Sequence, residues 1–171
     1  MPPERGARLA WRVAPALGLL LLLGCTVPER TAALSPTMTT LTGKPVTLKD
    51  YQGRVVLLDV WATWCVPCIK DIPRIQSLQD RYEPKGLTVL GVSLDEEGAA
   101  RVRPFVRKHK MTYPILLDLR GANSVRQVFN IEKIPTLILL DASGKTLRRW
   151  EADASTEDIE IAVIDALRNA R

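Results

Sequence analysis

The sequence predicts an α/β fold: one sheet built largely from buried strands, with helices covering both faces. Three observations carry this. Arg54–Trp61 and Leu87–Leu94 are near-continuous apolar runs rich in β-branched residues, the pattern of strands buried on both sides. A segment with apolar residues at helical spacing separates them. Strand and helix patterns then keep alternating to the C-terminus, which ends in an amphipathic helix.

In chain order, Gly43-Lys44-Pro45, Val46-Thr47-Leu48 and Gly53 read as a short β-hairpin extension leading into the core. The run 54–61 is the first buried strand. Residues 66–83 form a helix, with Ile69, Ile72, Ile75, Leu78 and Tyr82 on one face and Pro73 as an expected kink. The run 87–94 is the second buried strand. Residues 98–110 are helical, with Val102, Phe105 and Val106 inward. There Pro104 either kinks the helix or opens a shorter one. Pro114–Leu117 is a short strand and Asn123–Phe129 a short helix. Thr136–Leu140 and Thr146–Trp150 are strands joined through Asp141-Ala142-Ser143-Gly144. The last helix starts at Ser155 with Asp158 three residues on, a capping-box-like pair. Its apolar stripe is Ile159, Ala162, Val163, Ala166 and Leu167.

The 171 residues, 46% hydrophobic and 25% charged, suit one globular domain and exclude wholesale disorder. The net charge of +5 falls partly in the first 24 residues, so it argues for no nucleic-acid partner. The basic run Arg107-Lys108-His109-Lys110 reads as the wet C-terminal turn of a helix. With 3 Cys and 1 His, the material for a four-ligand zinc site is nearly absent, and no metal site is expected.

The N-terminus reads as an export signal. Arg5, Arg8 and Arg12 precede the apolar run Val13–Leu23, which is shorter than the ~20 residues that span a bilayer. Leu22-Leu23-Gly24-Cys25 resembles a bacterial lipoprotein box. The resemblance implies removal of residues 1–24 and lipidation of Cys25; the alternatives are a plain signal with an incidental cysteine or an uncleaved short anchor. Residues 25–40, rich in Thr and Pro, are then a lipidated terminus and flexible linker with a mean reach of about 20 Å. The domain proper is expected over 41–171.

Trp64-Cys65-Val66-Pro67-Cys68 falls where the first buried strand gives way to a helix. Cys65 would sit at the helix N-terminus, where unpaired N–H groups and the dipole favour an anion. Cysteines so placed ionise at roughly 3.5–7.5 instead of ~8.5. Cys68 lies one turn on and can reach the Cys65 sulfur. Pro67 suits the first turn, where its missing N–H would be unpaired anyway. A haem-attachment motif would need His after the second cysteine, where Ile69 stands. A static clip is the other alternative, although so short a loop restrains the unfolded chain little.

The stretches VVLLDVWATWCVPC (55–68), GVSLDE (91–96), YPILLD (113–118) and IPTLILLDASG (134–144), with Asp71 and Pro73 after the motif, resemble the thioredoxin-like family. The match is to its TlpA/ResA-like membrane-anchored thiol–disulfide oxidoreductases. The resemblance implies a thioredoxin-like fold, with Cys65 attacking and Cys68 resolving. It implies that Pro135 is a cis-proline opposite the motif and that the Ile134 backbone is free to pair with a substrate segment. No cofactor beyond the cysteine pair is implied. Asp59 stands where anchored relatives often have Asn and thioredoxin has Asp. It reads either as a proton acceptor for Cys68, with its pKa raised by desolvation, or as a hydrogen-bonded Asp without chemical duty. Asp71, where the anchored branch commonly has Glu, either tunes the cysteine pair or complements the helix dipole. Trp61 and Trp64 read as packing for the site and its apolar docking surface.

The function expected from this is an exported, lipid-anchored, monomeric oxidoreductase facing the periplasm or cell exterior. It would reduce protein disulfides and be recharged by a membrane electron donor of the DsbD/CcdA type. Apocytochrome c and the copper-site cysteines of oxidases are the clients the resemblance implies. Two alternatives use the same cysteines: a copper(I) metallochaperone, which soft thiolates suit, and a thiol peroxidase.

Overall fold

The computed structural model describes residues 35–152 and 154–170; Cys25 and the export signal lie outside them. The strands are β1 (Thr37–Thr40), β2 (Pro45–Thr47), β3 (Val55–Trp61), β4 (Leu87–Ser93), β5 (Ile115–Asp118), β6 (Thr136–Leu140) and β7 (Thr146–Glu151). The helices are α1 (Val66–Tyr82), α2 (Ala99–Lys108), α3 (Val125–Val128) and α4 (Thr156–Asn169). Among the described residues no helix is long and apolar enough to cross a membrane.

The strands form one mixed sheet in the order β2-β1-β5-β4-β3-β6-β7. β3 and β4 run parallel, as do β4 and β5, while β3 and β6, and β6 and β7, are antiparallel. Every residue of β3, β4 and β6 is buried, which explains why these segments carry apolar residues on both faces. The crossovers from β3 to β4 and from β4 to β5 move the same way across the sheet, so their helices share a face. Accordingly Ile72, Ile75 and Leu78 of α1, Val102 of α2, and Ile159 and Val163 of α4 pack in one cluster against Val55, Leu57, Val89 and Leu139. The opposite face, with Val56, Leu58, Leu90 and Ile138, is closed by Val125 of α3 and by Leu48 and Tyr51 of a 3-10 turn.

Residues 37–40, which composition assigns to the linker, instead form β1. They pair antiparallel with both β2 and β5. The strand is short and threonine-rich, and Met38 is its fully buried side chain, so no apolar run marks it. Threonine's β-branching supports the extended backbone. The folded domain therefore takes in part of the expected linker.

Both prolines are absorbed within continuous helices, Pro73 in α1 and Pro104 in α2. The start of α4 is as expected: the Ser155 side chain accepts from the Asp158 N–H at 3.0 Å.

Candidate active site

β3 delivers the chain to the site. Asp59 lies on it two residues before Trp61, with side chains alternating between faces. It therefore faces the α1 side along with Leu57 and Trp61. After Trp61 the chain turns. The Leu94 N–H donates to the Trp61 carbonyl at 2.9 Å, and the Cys65 N–H donates to the Ala62 carbonyl at 3.1 Å. Buried Asp95 holds this turn, accepting from the Thr63 N–H at 2.9 Å, the Thr63 hydroxyl at 2.6 Å and the Ser93 hydroxyl at 2.8 Å.

Cys65 is the N-cap of α1, with an extended backbone. Its Sγ accepts the Cys68 N–H at 3.3 Å, which satisfies one donor that the helix start leaves open. Pro67 sits in the first turn. Cys65 and Cys68 are joined in a disulfide, and both are buried. Their neighbours Trp64 and Val66 are exposed, at 63% and 61%. Trp61 packs the core, and Trp64, next to Cys65 in the chain, is instead exposed to solvent.

The Ile134–Pro135 peptide is cis, as the resemblance implied. Ile134 and Trp64 line one open groove of about 770 Å³, with Leu94, Glu96, Glu97 and Arg126. Pro135 lines a narrow crevice, too tight to admit water, with Asp71, Arg74 and Trp150. The site thus gathers residues from the head of α1 and the start of β6.

Asp59 is buried, and desolvation pushes its carboxyl up to about 7. Three groups modulate it: the Tyr113 hydroxyl, which donates to Oδ2 at 3.2 Å and lowers the value; Asp71, which raises it; and Arg74, which lowers it. Asp71 does not stand alone. It pairs with Arg74 at 2.7 Å, both side chains mostly buried, and Arg74 also donates to the Ala154 carbonyl at 2.5 Å. His109 lies elsewhere, stacked on Phe105 with ring centroids 4.2 Å apart. Among the described residues no group of three or more His, Cys, Asp or Glu side chains is placed to hold a metal.

Sequence reasoning missed Tyr113, Arg74 and Asp95 as parts of this site. Asp95 and Tyr113 both fall inside stretches that carry the resemblance, but neither has a spacing that marks a contact. Arg74 is three residues from Asp71, a helical pairing distance, and that signal was available.

The AhpC/TSA family matches residues 30–149. The chain is 32% identical over 168 residues to the thiol–disulfide oxidoreductase ResA of Geobacillus kaustophilus, covering 92% of this chain and 95% of that one. It is 32% identical over 123 residues to ResA of Bacillus thuringiensis, covering 72% and 69%. Among solved structures it resembles a putative thiol:disulfide interchange protein DsbE from Chlorobium tepidum. There the TM-score is 0.70 at 29% identity, over 78% of this chain and 93% of that one. With Cys65 capping the helix, Cys68 in its first turn and a cis-proline at the start of β6, the chain belongs to the AhpC/TSA family as a thioredoxin-like, ResA-related thiol–disulfide oxidoreductase.

Proposed function

We propose that this oxidoreductase works outside the cytosol, tethered by lipid at Cys25, as a monomeric reductant of partner disulfides. The observation that carries the reducing chemistry is Cys65 at the head of α1, its sulfur accepting a backbone N–H and flanked by exposed Trp64. The start of a helix favours a thiolate at that position.

In the dithiol form, the Cys65 thiolate attacks one sulfur of a partner disulfide. The partner's S–S bond breaks, a mixed disulfide forms, and one partner sulfur leaves as a thiolate. Cys68 then gives up its proton to Asp59 and attacks the Cys65 sulfur. The partner's second sulfur leaves, and the two electrons lost by the cysteine pair are those gained by the partner. Trp64 and the groove beside Ile134 offer the docking surface, and the Ile134 backbone pairs with the client segment. A membrane donor of the DsbD/CcdA type returns two electrons to the Cys65–Cys68 disulfide. Apocytochrome c and copper-site cysteines of respiratory oxidases are the proposed clients, by analogy with the family.

The test is trapping in cells. Cys68→Ala should accumulate a mixed disulfide through Cys65 that mass spectrometry identifies. Cys65→Ala in the same background should abolish it, and Cys25→Ser should release the protein from the membrane fraction. Absence of any Cys65-dependent adduct would overturn the reducing role.

A further inference from the structure

In the sheet, Asp59 of β3 lies directly beside Gly91 of β4, and Gly91 lies beside Ile115 of β5. Gly91 is an interior residue of a fully buried strand, where glycine weakens packing and marks a close approach. The approach is identifiable. A Cβ on Gly91 would stand 2.8 Å from Cε2 of Tyr113, 2.8 Å from Cδ1 of Ile115 and 3.1 Å from Nε1 of Trp61. The Tyr113 ring therefore uses the space that any other residue at 91 would fill, and by doing so its hydroxyl reaches Asp59 Oδ2. Tyr113 is itself buried, so this contact is held by packing on all sides.

We propose that Tyr113 is a positioning residue for the resolving step: its hydroxyl holds the Asp59 carboxylate for proton transfer, and the missing side chain at Gly91 is what admits it. The proposal rests on Asp59 being the proton acceptor for Cys68.

The direction of the effect follows from the donor. A phenol O–H given to a carboxylate favours the ionised form, the form able to take a proton. Burial and the neighbouring Asp59 hold the Tyr113 phenol well above its ordinary range, so it remains a donor across the working pH. The charged groups acting on Asp59 from α1 are Asp71 and Arg74, with opposite signs; Cys68 on α1 is held in the disulfide.

The test uses the full chain with two readouts. The first is the ¹³C carboxyl titration of Asp59 in the oxidised protein, assigned by its disappearance in Asp59→Asn. The second is the pH profile of the resolving step. It is followed as release of thionitrobenzoate when Cys68 attacks the adduct that Ellman's reagent forms on Cys65. Tyr113→Phe keeps the ring and its packing. It should move the Asp59 midpoint up by about one pH unit, the size expected for losing a hydrogen bond to a charged group. The resolving rate near pH 7 should fall about fivefold and converge on the parent rate at high pH. Gly91→Ala, which displaces the ring, should move the midpoint the same way. An unmoved midpoint in Tyr113→Phe would overturn the proposal. If instead the midpoint moves but Asp59→Asn leaves the resolving profile unchanged, Asp59 is not the acceptor. The proposal then falls with that reading, and the two failures are told apart.

Discussion

Thr63 and Asp95, from different strand ends, are bound to each other twice: N–H to Oδ2 at 2.9 Å and hydroxyl to Oδ1 at 2.6 Å. This pairing fixes the turn that places Cys65 at the head of α1. Asp95 is buried, so its loss leaves a buried N–H without its acceptor as well as removing charge-assisted bonds. Asp95→Ala should lower stability by about 2–3 kcal/mol, read by urea unfolding of the oxidised protein. It should also slow alkylation of Cys65 in the reduced protein.

The cap itself makes a second prediction. Cys65 precedes the first turn of α1, whereas Cys68 lies inside the helix with its N–H already given to the Cys65 sulfur. In the reduced protein at pH 7, iodoacetamide should label Cys65 about tenfold or more faster than Cys68. Peptide mapping after short exposure reads the ratio. Equal labelling would remove the helix start as the source of reactivity.

Asp59 makes stability depend on pH, with a definite sign. Its carboxyl titrates near 7 when folded and near ~3.9 when unfolded. Between those values the folded state holds a proton that the unfolded state has lost. The stabilisation is complete below about pH 4 and is lost as pH rises through 7, by up to about 1.4 kcal/mol per pH unit. Asp59→Asn should abolish that slope and be the more stable protein at pH 8. Urea midpoints of the oxidised protein at pH 5, 7 and 8 measure this. A flat parent profile would mean that Asp59 is ionised throughout.

How much of this was legible in the sequence varies with the range of the contact. β3, β4, α1 and α4 announce themselves because burial on two faces or on one helical stripe leaves a local pattern. β1 does not, since four residues with a single buried methionine carry too little pattern. The cysteine pair and Pro67 were legible through motif and spacing, and the cis-proline at 135 through the resemblance to the family. The burial of Asp59 and its raised titration were legible from its place in an apolar strand, but its partners were not. Tyr113 is 54 residues away in the chain, and the bare Cα of Gly91 that admits it looks, in sequence, like one more residue of an apolar run. Such contacts are set by strand register, and nothing in a single sequence reports that register. Arg74 is intermediate: its helical spacing from Asp71 is visible, but its bond to the Ala154 carbonyl is not.

The Asp71–Arg74 pair separates the two carboxylates' roles. Asp71 raises the Asp59 titration and Arg74 lowers it, and each partly cancels the other through their 2.7 Å contact. Asp71→Asn should therefore move the Asp59 midpoint down, and Arg74→Met should move it up, each by about half a pH unit. Combining them should return it near the parent value, the sum of two opposite shifts. Arg74→Met should also loosen the segment before α4, because the Ala154 carbonyl loses its donor. The resolving-step profile then decides which carboxylate takes the Cys68 proton. If Asp59 does, Asp71→Asn shifts the acid limb of that profile and preserves its height. If Asp71 does, the same substitution abolishes the limb, and the Asp59 midpoint moves without any kinetic consequence.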